Sequence, residues 1–248
     1  YSPIHALATA GLPIAISRMV SGYMAQKRYK DVKLMHKISI PLFIFTGLLG
    51  SGLMILGSFP YVKFTNSPGS LFSLVALAPT IFFSCMISIY KGYYEGLRNM
   101  IPTAVSEIVE AIGKVVFGVS LALFTSKYGM NEYKNFGTVF GIHCENEEVA
   151  GNILLPWVSA SAVVGITLGA VAGYLYMHIK YKISGDGISK EELSQSPKPH
   201  SVKSMLKALL GISIPVALGA IIMNIASAID ATLVQRRLSD VMKVTPGI

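Results

Sequence analysis

Three charged residues stand where charge is disfavoured. Glu107, Glu110 and Lys114 lie within "SEIVEAIGKVVFG", residues 106 to 118, in a stretch otherwise built of apolar side chains. Spaced i, i+3 and i+7, they fall within ~60° of one another on a helix, and Gly118 continues the stripe. The carboxylates could exchange a proton or hold a cation, and the lysine could offset an anionic group. Glu110 followed by Lys114 is also the favourable i, i+4 order for an ion pair. Arg18 in "PIAISRMVSGY" and Asp230 in "NIASAIDATLV" extend the set, with Asn224 and Ser227 on nearly the face of Asp230. At the centre of a bilayer-spanning helix each charge costs roughly 2.5–3.5 kcal/mol on insertion scales. The simplest common expectation is that Arg18, Lys114, Glu107, Glu110, Asp230 and Asn224 line a polar, substrate-binding cavity between helices. The competing expectations are buried structural pairs and, for Arg18, a guanidinium that snorkels to the cytoplasmic edge.

These residues do not spell an enzyme. Glu107 and Glu110 are paired carboxylates by spacing, but no partner acid accompanies them. No P-loop, GxSxG, HExxH or dinucleotide fingerprint is present, so neither catalysis nor a cofactor is expected. His143-Cys144-Glu145 matches no standard zinc spacing, so no metal site is expected. Cys85 falls mid-helix and Cys144 in an outer loop, where they cannot pair.

The elements that must carry these charges read as membrane helices. Of 248 residues 52% are hydrophobic and only 14% charged, with a mean hydropathy of +0.55; soluble domains average about 25% charged. Apolar blocks at roughly 3–24, 38–62, 70–92, 102–125, 154–178 and 208–234 are each long enough to cross a ~30 Å hydrocarbon core as a helix. Lipid leaves backbone groups no other partner, so six transmembrane helices and an all-α polytopic membrane bundle are predicted.

A net charge of +8 could suggest nucleic acid, but its placement argues for a membrane instead. Lys27, Arg28, Lys30, Lys33 and Lys37 cluster in 25–37, Lys91 and Arg98 in 91–101, and six further lysines in 179–207, whereas the alternate loops hold only Lys63, Lys127 and Lys134. Basic loops mark the cytoplasmic side of a multi-pass plasma-membrane protein. Arg236 and Arg237, beyond the last block, break the pattern.

Pro13, Pro79 and Pro215 interrupt helical blocks, while Pro102 and Pro156 fall near expected helix starts, where proline is at home. Gly165, Gly169 and Gly173 in "GITLGAVAG" suit close helix packing. Outer loop 127–152 is expected to form a small cap without an assigned role. Segment 183–203 has linker composition with a short capped turn in "SKEEL". The chain opens already apolar, in "YSPIHALATAGLP", as though a preceding helix had been removed.

Three stretches together carry a family resemblance: "GLPIAISRMVSGYMAQKRYKD", "YKGYYEGLRNMIPTAVSEIVE" and "GISIPVALGAIIMNIASAIDATLVQRRL". They resemble the polysaccharide-biosynthesis, stage V sporulation protein B-like, lipid II flippase branch of the multidrug/oligosaccharidyl-lipid/polysaccharide exporter superfamily. The resemblance covers most of the chain in order, apart from 127–152. It implies a MATE-like, two-lobed fold of which this chain holds about half. Residues 1–182 would be most of the N-terminal lobe, 183–203 a cytoplasmic inter-lobe linker, and 204–248 the first helix of the C-terminal lobe.

It also implies a flippase that moves polyprenyl-pyrophosphate-linked saccharides, such as the peptidoglycan precursor, from inner to outer leaflet by alternating access. Arg18 matches a cavity arginine of that family, and Lys114 is a plausible second cation for the anionic lipid. Glu107 and Glu110 depart from a purely cationic cavity. A proton- or sodium-coupled multidrug exporter of the same fold is the alternative, with Glu107, Glu110 or Asp230 exchanging the ion. A third reading is a scaffold that recruits cell-wall synthesis enzymes through its basic loops.

Overall fold

The computed structural model describes residues 11–65 and 70–244. Its elements are α1 (Gly11–Ala25), α2 (Tyr29–Thr65), α3 (Ser70–Gly96), α4 (Ile101–Phe136), a hairpin of β1 (Thr138–Val139) and β2 (Ile142–His143), α5 (Glu147–Ser184), the short α6 (Lys190–Gln195) and α7 (Val202–Val244). Five stretches are long and apolar enough to cross a bilayer: Tyr29–Pro60, Leu71–Gly96, Ile101–Phe136, Glu147–Ser184 and Val202–Ser227. They coincide with five of the six expected crossings. The sixth, 3–24, is described only from Gly11 onward, and its earlier part lies outside the described residues. The protein is an all-α polytopic membrane bundle.

The helices are longer than their apolar blocks. Basic segment 25–37 is a loop only at 26–28, because α2 starts at Tyr29 and carries Lys30, Lys33 and Lys37 in its first turns. Outer segment 127–152 is not a separate cap. Its first ten residues continue α4, ended by Gly137 in the left-handed conformation (φ 69°), whose N–H donates to the Tyr133 carbonyl. A two-stranded antiparallel hairpin follows, pairing Thr138 with His143. Helix α5 then starts at Glu147, with Glu147 and Glu148 in its first turn, where the helix dipole favours acid. Pro156 therefore sits inside α5 rather than near its start, while Pro102 does occupy the first turn of α4. Among the described residues no group of His, Cys, Asp or Glu is placed to hold a metal.

Glycines set how the helices seat. A side chain at Gly92 would meet the Pro13 carbonyl at 2.6 Å, and one at Gly96 would meet the Ser17 carbonyl at 2.9 Å, so α1 lies directly on α3. Along α5, a side chain at Gly165 would run into the backbone of Gly118, and one at Gly169 would come 2.5 Å from the Lys114 nitrogen. Small residues let helix backbones approach this closely where lipid supplies no hydrophobic drive.

The main core joins α1, α2, α3 and the start of α7 through Ile16, Val20, Met35, Phe43, Ile81, Tyr93, Met205 and Leu209. Outward faces stay apolar: Ile108, Ile112, Val115 and Val119 on α4 and Ile214, Leu218 and Ile222 on α7 are exposed. Such continuous apolar surface suits acyl chains, not water.

Candidate functional site

The glycine seat against α5 decides which side of α4 is buried. Ser106, Gly113 and Gly118 are buried, so Glu110 and Lys114 emerge at the edge of that contact, with Glu110 facing inward and only 15% exposed. Lys114 Nζ lies 2.7 Å from Glu110 Oε1. From α3, Lys91 Nζ lies 3.1 Å from Glu107 Oε1 and 4.0 Å from Glu110 Oε2. The outcome is a ladder of two lysines and two glutamates between α3 and α4. It begins about two turns inside the helix ends and rises to Lys114, ~20 Å along α4 from Ile101.

Glu107, 62% exposed, is its loosest member. The structure thus brings Glu107, Glu110 and Lys114 together and adds Lys91, which the charge pattern had assigned to a cytoplasmic loop. Lys91 belongs to α3. A hint was available, since the apolar block 70–92 already reaches past Lys91 and overlaps the loop assigned from 91.

Arg18 stands elsewhere. On α1, Ala15, Ile16, Met19 and Val20 are buried, and the Gly92 and Gly96 seats fix that face against α3. Arg18 consequently shares the exposed side with Ile14. Among the described residues its guanidinium has no carboxylate partner. Midway along α7, at the end of its bilayer-length stretch Val202–Ser227, Asn224 donates from Nδ2 to the Ala220 carbonyl at 2.8 Å and Ser227 from Oγ to the Met223 carbonyl at 2.9 Å. Asp230 is exposed. Neither the Asn224 bond to Ala220 nor the position of Asp230 on α7 joins them to the α4 ladder. Helix α7 continues through 236 and 237, whose side chains lie outside the described residues.

A second polar assembly lies at the end of the bundle where all three basic segments meet. Asp31, in the first turn of α2 and 1% exposed, accepts from Arg28 Nε at 2.6 Å and from the His200 backbone N–H at 2.7 Å. Arg28 also donates to the Lys198 carbonyl, and Lys30 Nζ to the Ser196 carbonyl at 2.8 Å. Asp186, 6% exposed, accepts from the Tyr93 hydroxyl at 2.8 Å and the Ile188 N–H at 3.2 Å, with Lys33 3.7 Å away.

Segment 185–200, which has linker composition, is therefore a strap held at each end by a buried aspartate. Helix α6 lies between the two holds, with the Ser189–Glu192 capping box that "SKEEL" predicts. Beneath the strap, His36 stacks on Tyr181 with centroids 4.5 Å apart. Nearby the Tyr90 hydroxyl and His178 Nδ1 are 2.8 Å apart. Sequence reasoning missed both aspartates. The available signal was their type: Asp31 is the lone acid of 25–37, and Asp186 is the lone aspartate of 179–207.

No family model matches the chain, and no solved structure does. Curated proteins of Bacillus subtilis (strain 168) do. Stage V sporulation protein B is 21% identical over 231 residues, 92% of this chain and 39% of that protein. Lipid II flippase MurJ is 23% identical over 179 residues, 68% of this chain and 30% of that protein. The chain is thus similar to both proteins, to the first along nearly its whole length. The uncharacterized membrane protein YabM is 23% identical over 127 residues, 51% of this chain and 23% of that protein. The chain thus spans about two fifths or less of the length of each of these curated relatives. Together with its five bilayer-length helices, this relationship places it among multi-pass plasma-membrane proteins.

Proposed function

We propose that this chain is part of a flippase for polyprenyl-pyrophosphate-linked saccharides, a cell-wall precursor class. The observation that carries the reading is Arg18: an exposed guanidinium on a helix of the bundle, with no carboxylate opposite it among the described residues. An unneutralised cation there is disfavoured unless something anionic visits it. The relatives' names, one of them a lipid II flippase, supply the substrate class.

In this reading residues 1–182 form most of one lobe, 183–203 its cytoplasmic strap and 204–248 the first helix of the next lobe. The pyrophosphate enters from the cytoplasmic side beside Arg18, and Lys114 is the second cation. Because Lys114 is held by Glu110, it contributes field more than direct contact. Asp230 and Asn224 would lie further along the path, towards the outer leaflet. An inside-negative potential favours outward movement of an anion by about 2.3 kcal/mol per charge per 100 mV, so the step needs no nucleotide site.

The test is translocation of fluorescent lipid II by the intact gene product in vesicles under an imposed potential. Arg18→Gln is expected to slow it at least about tenfold, the equivalent of ~1.4 kcal/mol, while Arg18→Lys retains most activity. Transport of an organic cation driven by a pH or sodium gradient, with lipid II left in place, would refute the reading in favour of a coupled exporter.

A further inference from the structure

Between the cytoplasmic halves of α2 and α7 lies a groove of ≈ 530 Å³, walled by Leu34, Ile38 and Phe45 from α2 and by Val202 and Leu206 from α7. Its one charged lining residue is Lys37, which is exposed and faces no carboxylate among the described residues. We propose that this groove binds an anionic glycerophospholipid of the inner leaflet, one acyl chain lying against the walls and the phosphate on Lys37.

Three features select that occupant. The walls belong to bilayer-spanning stretches, and Lys37 sits ~12 Å along α2 from Tyr29, the depth at which helix ends meet head groups. Charge complements a phosphate throughout: Lys203 and Lys207 each follow a lining residue of α7 by one position and are exposed. The size also fits, within the ~300–1,000 Å³ typical of small-molecule pockets. It admits little more than one turn of a ~10 Å-wide helix, whereas a hydrocarbon chain can lie along it.

Pro41, one turn beyond Lys37 and also in the groove wall, has no N–H, so the Lys37 carbonyl lacks its ordinary helical donor. A hydroxylated head group such as that of phosphatidylglycerol can supply one. A single lysine at the mouth matches a singly charged phosphodiester. The site is separate from the α4 ladder and from Arg18, so lipid binding there does not depend on what the protein transports.

Trp157 is the single tryptophan of these 248 residues, so a reporter can be placed by Phe45→Trp in the intact gene product once Trp157 and any tryptophan outside this chain are replaced by Phe. Vesicles of phosphatidylcholine would carry brominated phosphatidylglycerol or brominated phosphatidylcholine. Quenching should give about fivefold tighter binding of phosphatidylglycerol, the factor expected of one lysine near anionic lipid. Lys37→Gln should abolish that preference and Lys37→Arg preserve it, while a tryptophan at Val116, on the apolar face of α4, should show none. Equal quenching by the two lipids at position 45 would overturn the proposal. So would the absence of quenching by either, which is the result if another protein segment or a second copy fills the groove.

Discussion

Glu110 and Glu107 show how two carboxylates one turn apart acquire different roles. Glu110 is largely enclosed and lies between Lys114 and Lys91, whereas Glu107 is mostly exposed and touches only Lys91. Replacing Glu110 by Gln leaves Lys114 without its near counter-ion in apolar surroundings. That should lower stability by ~1–3 kcal/mol, read as a fall in detergent-solubilised Tm. Glu107→Gln should change stability by less than about 1 kcal/mol, as exposed pairs do. The spacing of 107, 110 and 114 was legible because one helix fixes it. Lys91 was not, because its pairing depends on how α3 is rotated against α4, and no local pattern records that rotation. Arg18 was legible as an out-of-place charge, and its direction became so only once Gly92 and Gly96 had seated α1.

Among elements, the α4–α5 contact depends most directly on residue size. A leucine at Gly169 would meet the Lys114 backbone, which cannot swing aside as a side chain could. The helices must separate, at a cost of at least ~1–3 kcal/mol. Gly169→Leu is therefore expected to lower Tm and to open the α4–α5 seam, measurable as faster reaction of a cysteine placed at Ala172, which lies opposite Gly113 in that seam. Helix α6 makes a prediction about pH. The Ser189 backbone N–H and hydroxyl hold the Glu192 carboxyl below its ordinary value. Its contribution to the cap is thus complete above the ordinary carboxylate range and is lost as pH falls through the lowered value. Amide protection in 189–195, measured relative to the intrinsic exchange rate at each pH, should fall on acidification into that window, and in Glu192→Ala it should be low and independent of pH there.

The capping box was readable because Ser-x-x-Glu is local chemistry. The helical extensions at 29–37 and 127–136 were not. Apolarity reports where lipid begins and ends, while a helix continues for as long as its residues tolerate the conformation and no breaker intervenes.

At the scale of the whole molecule, the crossings were legible from hydropathy and the sidedness of the basic segments from lysine placement, and the strap bonds now join those segments at one end. What hydropathy could not foresee is that α7 shares the core of α1–α3 through Met205 and Leu209. Composition measures how soluble a connection is, not how firmly it is tied, and 185–200 is tied by two carboxylates that the polar average conceals.

That double attachment carries a practical corollary. Because Asp186 secures one stub and Asp31 the other, the covalent thread between them is dispensable for register. A chain severed or interrupted in the exposed turn at 190–195, by a protease site or an inserted fluorescent domain, should still fold with both halves in place. Co-purification of the two fragments would bear this out, and pairing the cut with Asp31→Asn should weaken that co-purification, leaving the C-terminal piece held by the Met205 and Leu209 packing.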